Sequence, residues 1–194
     1  MPEPGIVQIY TGNSKGKTTA AIGQTIRAIG HGWRAAFIQF MKGSSYYGEL
    51  TTLTKLAPAV EVWQYGRICS HNALIKQGES DCLACGQCFV EKGKATDFDH
   101  FYSKKAVERS LNIVGGGEFQ LVVLDEILNA VYFELVTEAT VHEIIDKKPA
   151  SVELILTGRN LTDSIAERAQ LITEMKQVRH PYEVGIPARR GIEY

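Results

Sequence analysis

The chain has 194 residues, 44% of them hydrophobic, which is enough to bury one sizeable core without a second full domain. Its 21 basic and 22 acidic residues exclude the strong positive field that attracts nucleic acid or anionic membranes. The N-terminus lacks a signal-peptide pattern, and no stretch approaches the roughly 20 apolar residues of a spanning helix. We therefore expect a cytoplasmic protein that acts on small molecules, with no nucleic-acid or membrane partner.

Apolar runs that predict buried strands alternate with amphipathic runs that predict helices. The strand candidates are, in chain order, GIVQIY (5–10), AAFIQF (35–40), AVEVWQY (59–65), FQLVVLD (119–125) and SVELILTG (151–158). The helix candidates are TTAAIGQTIRAIG (18–30), FDHFYSKKAVERSLNIV (98–114), EATVHEIIDKK (138–148) and LTDSIAERAQ (161–170). This alternation is typical of an α/β fold with a doubly wound, mostly parallel sheet. We predict one such domain over residues 1–194.

A candidate phosphate-binding loop follows the first strand. The usual spacing, Gly, four residues and Gly-Lys-Ser/Thr, would need a glycine at position 11, where this chain has Thr11. A strand that turns through glycines into a helix still presents backbone N–H groups and a helix dipole to a polyphosphate. Lys17 is expected to pair with phosphate oxygens, and Thr18 to ligate Mg²⁺. The predicted ATP-binding residues are Gly12, Asn13, Ser14, Lys15, Gly16, Lys17, Thr18 and Thr19.

Two carboxylates, Asp125 and Glu126, end the fourth predicted strand, where they would face a metal and nucleotide bound by the loop. An ordinary pair of acidic residues at a strand end is the alternative. The loop upstream favours the functional interpretation.

The chain resembles the P-loop type ATP:corrinoid adenosyltransferases over most of its length. The resemblance rests on the stretches TGNSKGKTTAAIG, RAIGHG, FIQFMKG, VVLDEI, LTGRN and ARRGIEY. It implies a P-loop NTPase type of fold, and transfer of the 5′-deoxyadenosyl group of ATP to the cobalt(I) of a reduced corrinoid, cobalamin or a precursor. The triphosphate leaves intact. The shortened loop is shared with this family, in which a glycine usually stands where this chain has Ser14.

The same resemblance implies roles for individual residues. Lys17, Arg27 and Arg159 would be the catalytic residues that neutralise charge on the departing triphosphate. Thr18 and Glu126 would ligate Mg²⁺. We also expect a homodimer that receives electrons from a flavoprotein or ferredoxin reductant.

The chain departs from the family after the third strand. Familiar members carry a Thr-Gly-Phe-x-Trp stretch whose aromatic side chains cover the corrinoid, whereas Arg67 and Cys69 stand at those positions here. Other aromatic residues are candidates for this contact, although a Trp or Phe beside a strand is more often part of the core. They are Trp63, Tyr65, Phe89, Phe98 and Phe101.

The hydrophobic periodicity fades over residues 66–98, which we interpret as an insertion or lid. This segment holds the cysteines of the chain, Cys69, Cys82, Cys85 and Cys88. In a reducing compartment their spacing favours one metal site over disulfides, and His71 is an alternative to Cys69. Zinc would stabilise the fold of the segment, whereas a 4Fe–4S cluster would match the ferredoxin-like spacing of the last three cysteines. Redox-inert thiols without a metal are the remaining alternative.

Two other functions fit parts of the sequence. A P-loop with a cysteine cluster also suits an ATP-gated iron–sulfur electron-transfer protein, although such proteins carry their extra lysine at the start of the loop. A small-molecule kinase or NTPase would use the loop alone. Both would release phosphate or ADP, whereas adenosyl transfer releases triphosphate.

Overall fold

The computed structural model describes residues 4–83 and 85–194; Ala84, in the predicted insertion, lies outside them. In this part of the chain six strands form one sheet, and all their pairings are parallel. They are β1 (Val7–Thr11), β2 (Ala35–Phe40), β3 (Val60–Tyr65), β4 (Leu121–Asp125), β5 (Glu153–Thr157) and β6 (Leu171–Glu174). Their order is β3-β2-β4-β5-β1-β6. The predicted fold class and the five predicted strands are confirmed, whereas β6 was not predicted.

The helices lie between the strands, as predicted, with additional short ones. They are α1 (Lys17–Gly30), α2 (Gly48–Lys55), α3 (Asn72–Gln77), α4 (Asp97–Gly116), α5 (Ile127–Tyr132), α6 (Glu138–Asp146) and α7 (Asp163–Ala166). The prediction of a helix over 161–170 was wrong in extent, since α7 has four residues. Gln170 is instead joined to β1, because its backbone N–H donates to Val7 O and its side chain accepts from the Val7 N–H. No helix among the described residues is both long and apolar enough to cross a membrane.

Both faces of the sheet are covered, which explains why the central strands are apolar without alternation. Along β2, Ile38 and Phe40 belong to the core cluster shared with α4, α5 and α6. Phe37 belongs to the cluster on the other face, where α1 and α2 pack. All six residues of β2 are buried as a result.

The carboxyl ends of β1, β4 and β5 meet at one edge of the sheet. Gln39 of β2 pairs with Asp125 of β4, and Tyr10 of β1 pairs with Thr157 of β5. Open α/β sheets bind ligands outside this edge. The residues predicted for the site follow β1, β4 and β5, so the fold brings most of them together.

The chain between β3 and α4 contains α3, and its other described residues are irregular. It covers residues 66–96, two residues less than the predicted insertion, because α4 begins at Asp97. We call residues 66–96 the insertion. Arg67 fixes its start to α4, since the guanidinium Nε and Nη2 donate to the two carboxylate oxygens of Asp99 at 2.8 and 2.6 Å.

Candidate active site

The phosphate-binding loop takes its shape from contacts with the residue that follows β6. Gly12 has φ 101°, and a Cβ there would lie 2.4 Å from the carbonyl oxygen of Met175. That carbonyl accepts a hydrogen bond from the Ser14 N–H at 3.1 Å. Thr11 is still part of β1 and pairs with Glu174 of β6. The first glycine therefore stands at position 12 because the strand continues through position 11.

Lys17 starts α1 and lies within the loop, where it is 6% exposed. Its Nζ donates to the carbonyl oxygens of Gly12 and Ser14, both at 2.7 Å. Burial lowers the pKa of Lys17, and the negative charge of Glu126 opposes this effect. The ammonium group is thus held at the loop by backbone oxygens.

A buried polar cluster surrounds the carboxylate of Asp125. Asp125 Oδ1 accepts from the hydroxyls of Thr18 and Thr157 at 2.9 and 2.8 Å. Its Oδ2 accepts from Lys42 Nζ at 2.8 Å and from the Gln39 amide at 3.1 Å. Burial alone would raise the pKa of Asp125, but Lys42 and the two hydroxyls outweigh it and the pKa is lowered. Asp125 therefore acts as the charged centre to which Thr18 is tied.

Glu126 follows Asp125 in a left-handed backbone conformation with φ 65°. Burial, and then the neighbouring charge of Asp125, raise the pKa of its carboxyl group. The Asn129 side-chain amide donates to Glu126, and its Oδ1 accepts from the Arg159 N–H at 2.6 Å. Gly158 has φ 144°, and a Cβ there would lie 2.8 Å from the backbone nitrogen of Asn129. Asn129 thus links Glu126 to the backbone of Arg159, and glycine is needed between the two segments.

A cavity of about 810 Å³ lies beside these residues. Its walls include Asn13–Thr19, Met41, Lys42, Tyr47, Cys88–Val90, Glu126, Asn129, Tyr132, Phe133, Arg159, Asn160 and Gly191–Tyr194. Among the described residues, four that are not glycine have a left-handed φ, and three of them, Met41, Glu126 and Asn160, line this cavity. Backbone strain of this kind gathers at functional sites. The volume is in the range of small-molecule sites.

Comparison with known proteins decides the family. The sequence profile described as ATP:corrinoid adenosyltransferase BtuR/CobO/CobP matches residues 3–194. The chain belongs to the ATP:corrinoid adenosyltransferase family. A corrinoid adenosyltransferase from Sinorhizobium is 31% identical over 99% of this chain and 81% of its own length. The corrinoid adenosyltransferase of Escherichia coli is 29% identical over 99% of this chain and 87% of its own length.

Among solved structures, the fold is similar to that of a KaiC-like protein from Pyrococcus horikoshii, with a TM-score of 0.56. The two chains are 15% identical, and the match covers 91% of this chain and 75% of the other. This similarity supports the fold alone.

One residue that the resemblance placed in the site lies elsewhere in this adenosyltransferase. Arg27 is in the last turn of α1, ten residues beyond Lys17 and thus about 15 Å further along the helix. Its side chain is exposed and donates to Gln24 Oε1 at 3.4 Å. Within this chain the structure brings Lys17 and Arg159 to the cavity and does not bring Arg27.

Of the five aromatic candidates for corrinoid contact, Phe89 alone is among the described residues that line the cavity. Trp63 packs edge-on against Phe119, and the guanidinium of Arg109 lies 5.1 Å from its ring centre, so Trp63 is a structural residue. Phe89, by contrast, lines the cavity and is 68% exposed. Sequence reasoning missed Tyr132, which also lines the cavity and is 38% exposed.

The insertion brings its cysteines into one neighbourhood. Cys69 is buried beside Ile75 and Tyr194, and Cys82 and Cys88 pack against the same cluster. We call Cys69, Ile75 and Tyr194 the insertion cluster. Burial raises the pKa of the Cys88 thiol, and the neighbouring thiols add to the effect. Among the described residues, no three His, Cys, Asp or Glu side chains are already positioned as metal ligands.

Sequence reasoning gave no role to several residues that complete the site. Asp125 and Glu126 are held in place by Thr157, Lys42 and Asn129. Glu193 pairs with Lys15 of the loop and belongs to the segment after β6, residues 175–194, which we call the tail. Thr157 and Lys42 lie in stretches that carry the family resemblance, LTGRN and FIQFMKG. Glu193 lies in a third such stretch, ARRGIEY, whereas Asn129 is identified only through its contacts with Glu126 and Arg159.

Proposed function

We propose that this corrinoid adenosyltransferase holds the triphosphate of ATP in loop residues 12–19 and presents the ribose 5′ carbon to the cobalt(I) of a reduced corrinoid. The cobalt–carbon bond forms as the bond from the 5′ carbon to the triphosphate oxygen breaks. Cobalt supplies both electrons of the new bond, and the triphosphate leaves with the pair from the broken bond. The observation that carries this proposal is the buried loop lysine beside a cavity of ligand size in a member of this family.

The chain's own residues orient the reactants and balance charge. Lys17 and Arg159 supply positive charge for the departing triphosphate, and the loop N–H groups and the dipole of α1 add to it. Cobalt(I) is already a strong nucleophile, so no residue is required as a general base. Alignment of the two substrates is the main contribution of the cavity.

The residues around Thr18 fit a magnesium ion. The Thr18 hydroxyl and Glu126 line the same cavity, and the Asp125 carboxylate is bonded to Thr18 and to the cationic Lys42. Hydroxyl and carboxylate oxygens are ligands of the kind Mg²⁺ prefers. Both oxygens of Asp125 are engaged by protein donors, so we assign the ion to Thr18 and Glu126, with Asp125 orienting Thr18. When bound, the ion neutralises phosphate charge.

We place the corrinoid at the mouth of the cavity, beside Phe89 and Tyr132. Both rings line the cavity and are more exposed than a core position allows. The homodimer and the flavoprotein or ferredoxin reductant stay predictions.

Product analysis tests the reaction. ATP and chemically reduced corrinoid should give adenosylated corrinoid and intact triphosphate in equal amounts. Phosphate or ADP in place of triphosphate would instead favour a hydrolase or kinase.

A lysine variant tests the site. Lys17→Ala should weaken ATP binding in calorimetry roughly 10- to 150-fold, the equivalent of about 1.5–3 kcal/mol for a charge-assisted contact. Lys104→Ala, an exposed lysine on α4, is the matched control and should bind ATP like the parent. Equal affinity in the two variants would remove the loop from the mechanism.

A further inference from the structure

The cysteines of the insertion come from two parts of the chain that the fold brings together. Cys69 lies shortly after β3, and Cys82, Cys85 and Cys88 lie after α3. Cys69 is 7% exposed in the insertion cluster, and its N–H donates to the Ser44 hydroxyl at 2.8 Å, which fixes it to the chain after β2. Cys82 and Cys88, which follow α3 in the chain, pack against that cluster. Three thiols thus share one small region.

A role as ordinary core residues does not account for this set. Cys85 is exposed, and Cys82 and Cys88 are only half-buried, whereas a cysteine used for packing is normally fully buried. Among the described residues, no disulfide joins any two of the four cysteines. Gly86, with φ 76°, turns the chain between Cys85 and Cys88, and Cys-x-x-Cys is a spacing at which two thiolates share one metal ion.

We propose that Cys69, Cys82, Cys85 and Cys88 form a metal centre with four thiolate ligands, occupied by an iron–sulfur cluster or by zinc. Four thiolates in a C-x-x-C-x-x-C run plus one distant cysteine are the donor set that these two occupants share. Closing the centre requires the exposed Cys85 to turn toward the other three.

The position of the centre gives it a structural consequence. Cys88, Phe89 and Val90 line the cavity, and Tyr194 of the tail belongs to the insertion cluster. The Tyr194 hydroxyl also donates to Asp81 Oδ1 at 3.0 Å, one residue before Cys82. A metal held by these thiols therefore fixes the insertion and the tail as one wall of the cavity.

Metal analysis of the whole protein, purified without oxygen and without added chelator, tests the proposal. About four iron and four sulfide per chain, with visible absorption that bleaches on reduction by dithionite, support it as a cluster. About one zinc per chain in colourless protein supports it as a zinc centre. Neither metal, after purification and after reconstitution with iron and sulfide or with zinc, overturns it.

Variants assign the ligands. Cys69→Ser and Cys85→Ser should each lose most of the metal, whereas His71→Ala and Leu83→Ser, in the same segment, should retain it. Retention in Cys69→Ser together with loss in His71→Ala overturns the four-cysteine assignment.

A thiol count keeps the test independent of whether the cysteine variants fold. Removal of the metal from the parent protein should make four additional thiols reactive, and an unchanged count overturns the proposal. Lys17→Ala should retain the metal, so failure of this centre and failure of the ATP site are separate results.

Discussion

At the scale of single residues, the site depends on how the charge of Asp125 is satisfied. Asp125 is fully buried, and its carboxylate accepts hydrogen bonds from four side chains. Thr157 has a second role, because its hydroxyl accepts from the Glu126 N–H at 2.9 Å. One hydroxyl therefore holds both carboxylate residues in position, although a threonine at a strand end carries no distinctive sequence signal.

Thr157→Val tests this role with almost no change of volume. We expect the free energy of unfolding to fall by about 1–3 kcal/mol, because a buried carboxylate and a buried N–H each lose a partner. Urea denaturation measures the change. Thr54→Val is the control, since the Thr54 hydroxyl bonds only to Leu50 O on the exposed face of α2, and it should change stability by less than about 0.5 kcal/mol. Similar losses in both variants would contradict this interpretation.

At the scale of elements, the phosphate-binding loop is built against the end of β6. The Met175 N–H donates to Thr11 O at 2.8 Å, and the Met175 carbonyl accepts from Ser14, so the strand pairing continues into the loop. A phosphate-binding loop usually depends on its own glycines and the following helix. Here its first turn also depends on β6, as shown by the pairing of Thr11 with Glu174, 163 positions further along the chain.

Gly12→Ala should therefore abolish ATP binding or weaken it beyond calorimetric detection. The added Cβ would lie 2.4 Å from the Met175 carbonyl, and the left-handed φ would be strained as well. Gly23→Ala is the matched control, because Gly23 is inside α1 with nothing within 4 Å of the added carbon. That variant should bind ATP normally and gain roughly 0.5–1 kcal/mol of stability. Normal ATP binding by Gly12→Ala would refute the contact with β6.

The insertion is joined to α4 through a buried carboxylate. Asp99 is 3% exposed and accepts from Arg67 and from the N–H and hydroxyl of Thr96. Burial alone would raise its pKa, but the hydrogen bonds from Arg67 and Thr96 outweigh burial and lower the pKa to about 2. Arg67 thus stabilises the insertion through its ion pair with α4.

Asp99→Asn should lower the free energy of unfolding by about 3 kcal/mol at neutral pH, since it leaves Arg67 without its partner. Because the folded pKa is lowered, this stabilisation is complete above about pH 4 and is lost as the pH falls toward 2. The difference between parent and variant, measured by urea denaturation, should shrink in that window. Glu108→Gln, which removes an exposed partner of Lys105, should change stability by less than about 0.5 kcal/mol at every pH. A difference that is unchanged between pH 4 and 2 would contradict the assignment.

At the scale of the whole molecule, the tail connects the loop to the insertion. Glu193 pairs with Lys15 of the loop, and Arg190 donates to the Ile75 carbonyl at the end of α3 at 2.9 Å. Tyr194 is 8% exposed and packs edge-on against Tyr46. The last residues of the chain therefore form part of the cavity wall.

Tyr194→Ala should loosen the tail and the insertion together. We expect tryptic cleavage after Lys76 to be roughly tenfold faster, equivalent to about 1.4 kcal/mol of lost local stability, and ATP binding to weaken. Timed proteolysis with mass spectrometry measures the cleavage. Tyr182→Ala, at a tail position that is 81% exposed, should be cleaved like the parent. Unchanged cleavage in Tyr194→Ala would show that the tail does not stabilise the insertion.

The sequence by itself determined the fold class, five strands, the phosphate-binding loop and the family. These features are readable because each depends on residues that are neighbours in the chain: continuous apolar runs, glycines before a helix, and short stretches such as VVLDEI. The extent of α4 was also readable, from its amphipathic pattern.

Only the tertiary structure decided which residues meet. It added β6, whose four residues LITE are too few for their hydrophobic pattern to predict a strand. It also placed Met175 in contact with the loop. It brought Thr157 and Lys42 to Asp125 and left Arg27 at the far end of α1. The contacts concerned join residues up to 178 positions apart, as in the pair of Lys15 and Glu193. Local patterns contain no information on such pairs, because they form only when burial of both sheet faces has fixed the order of the strands.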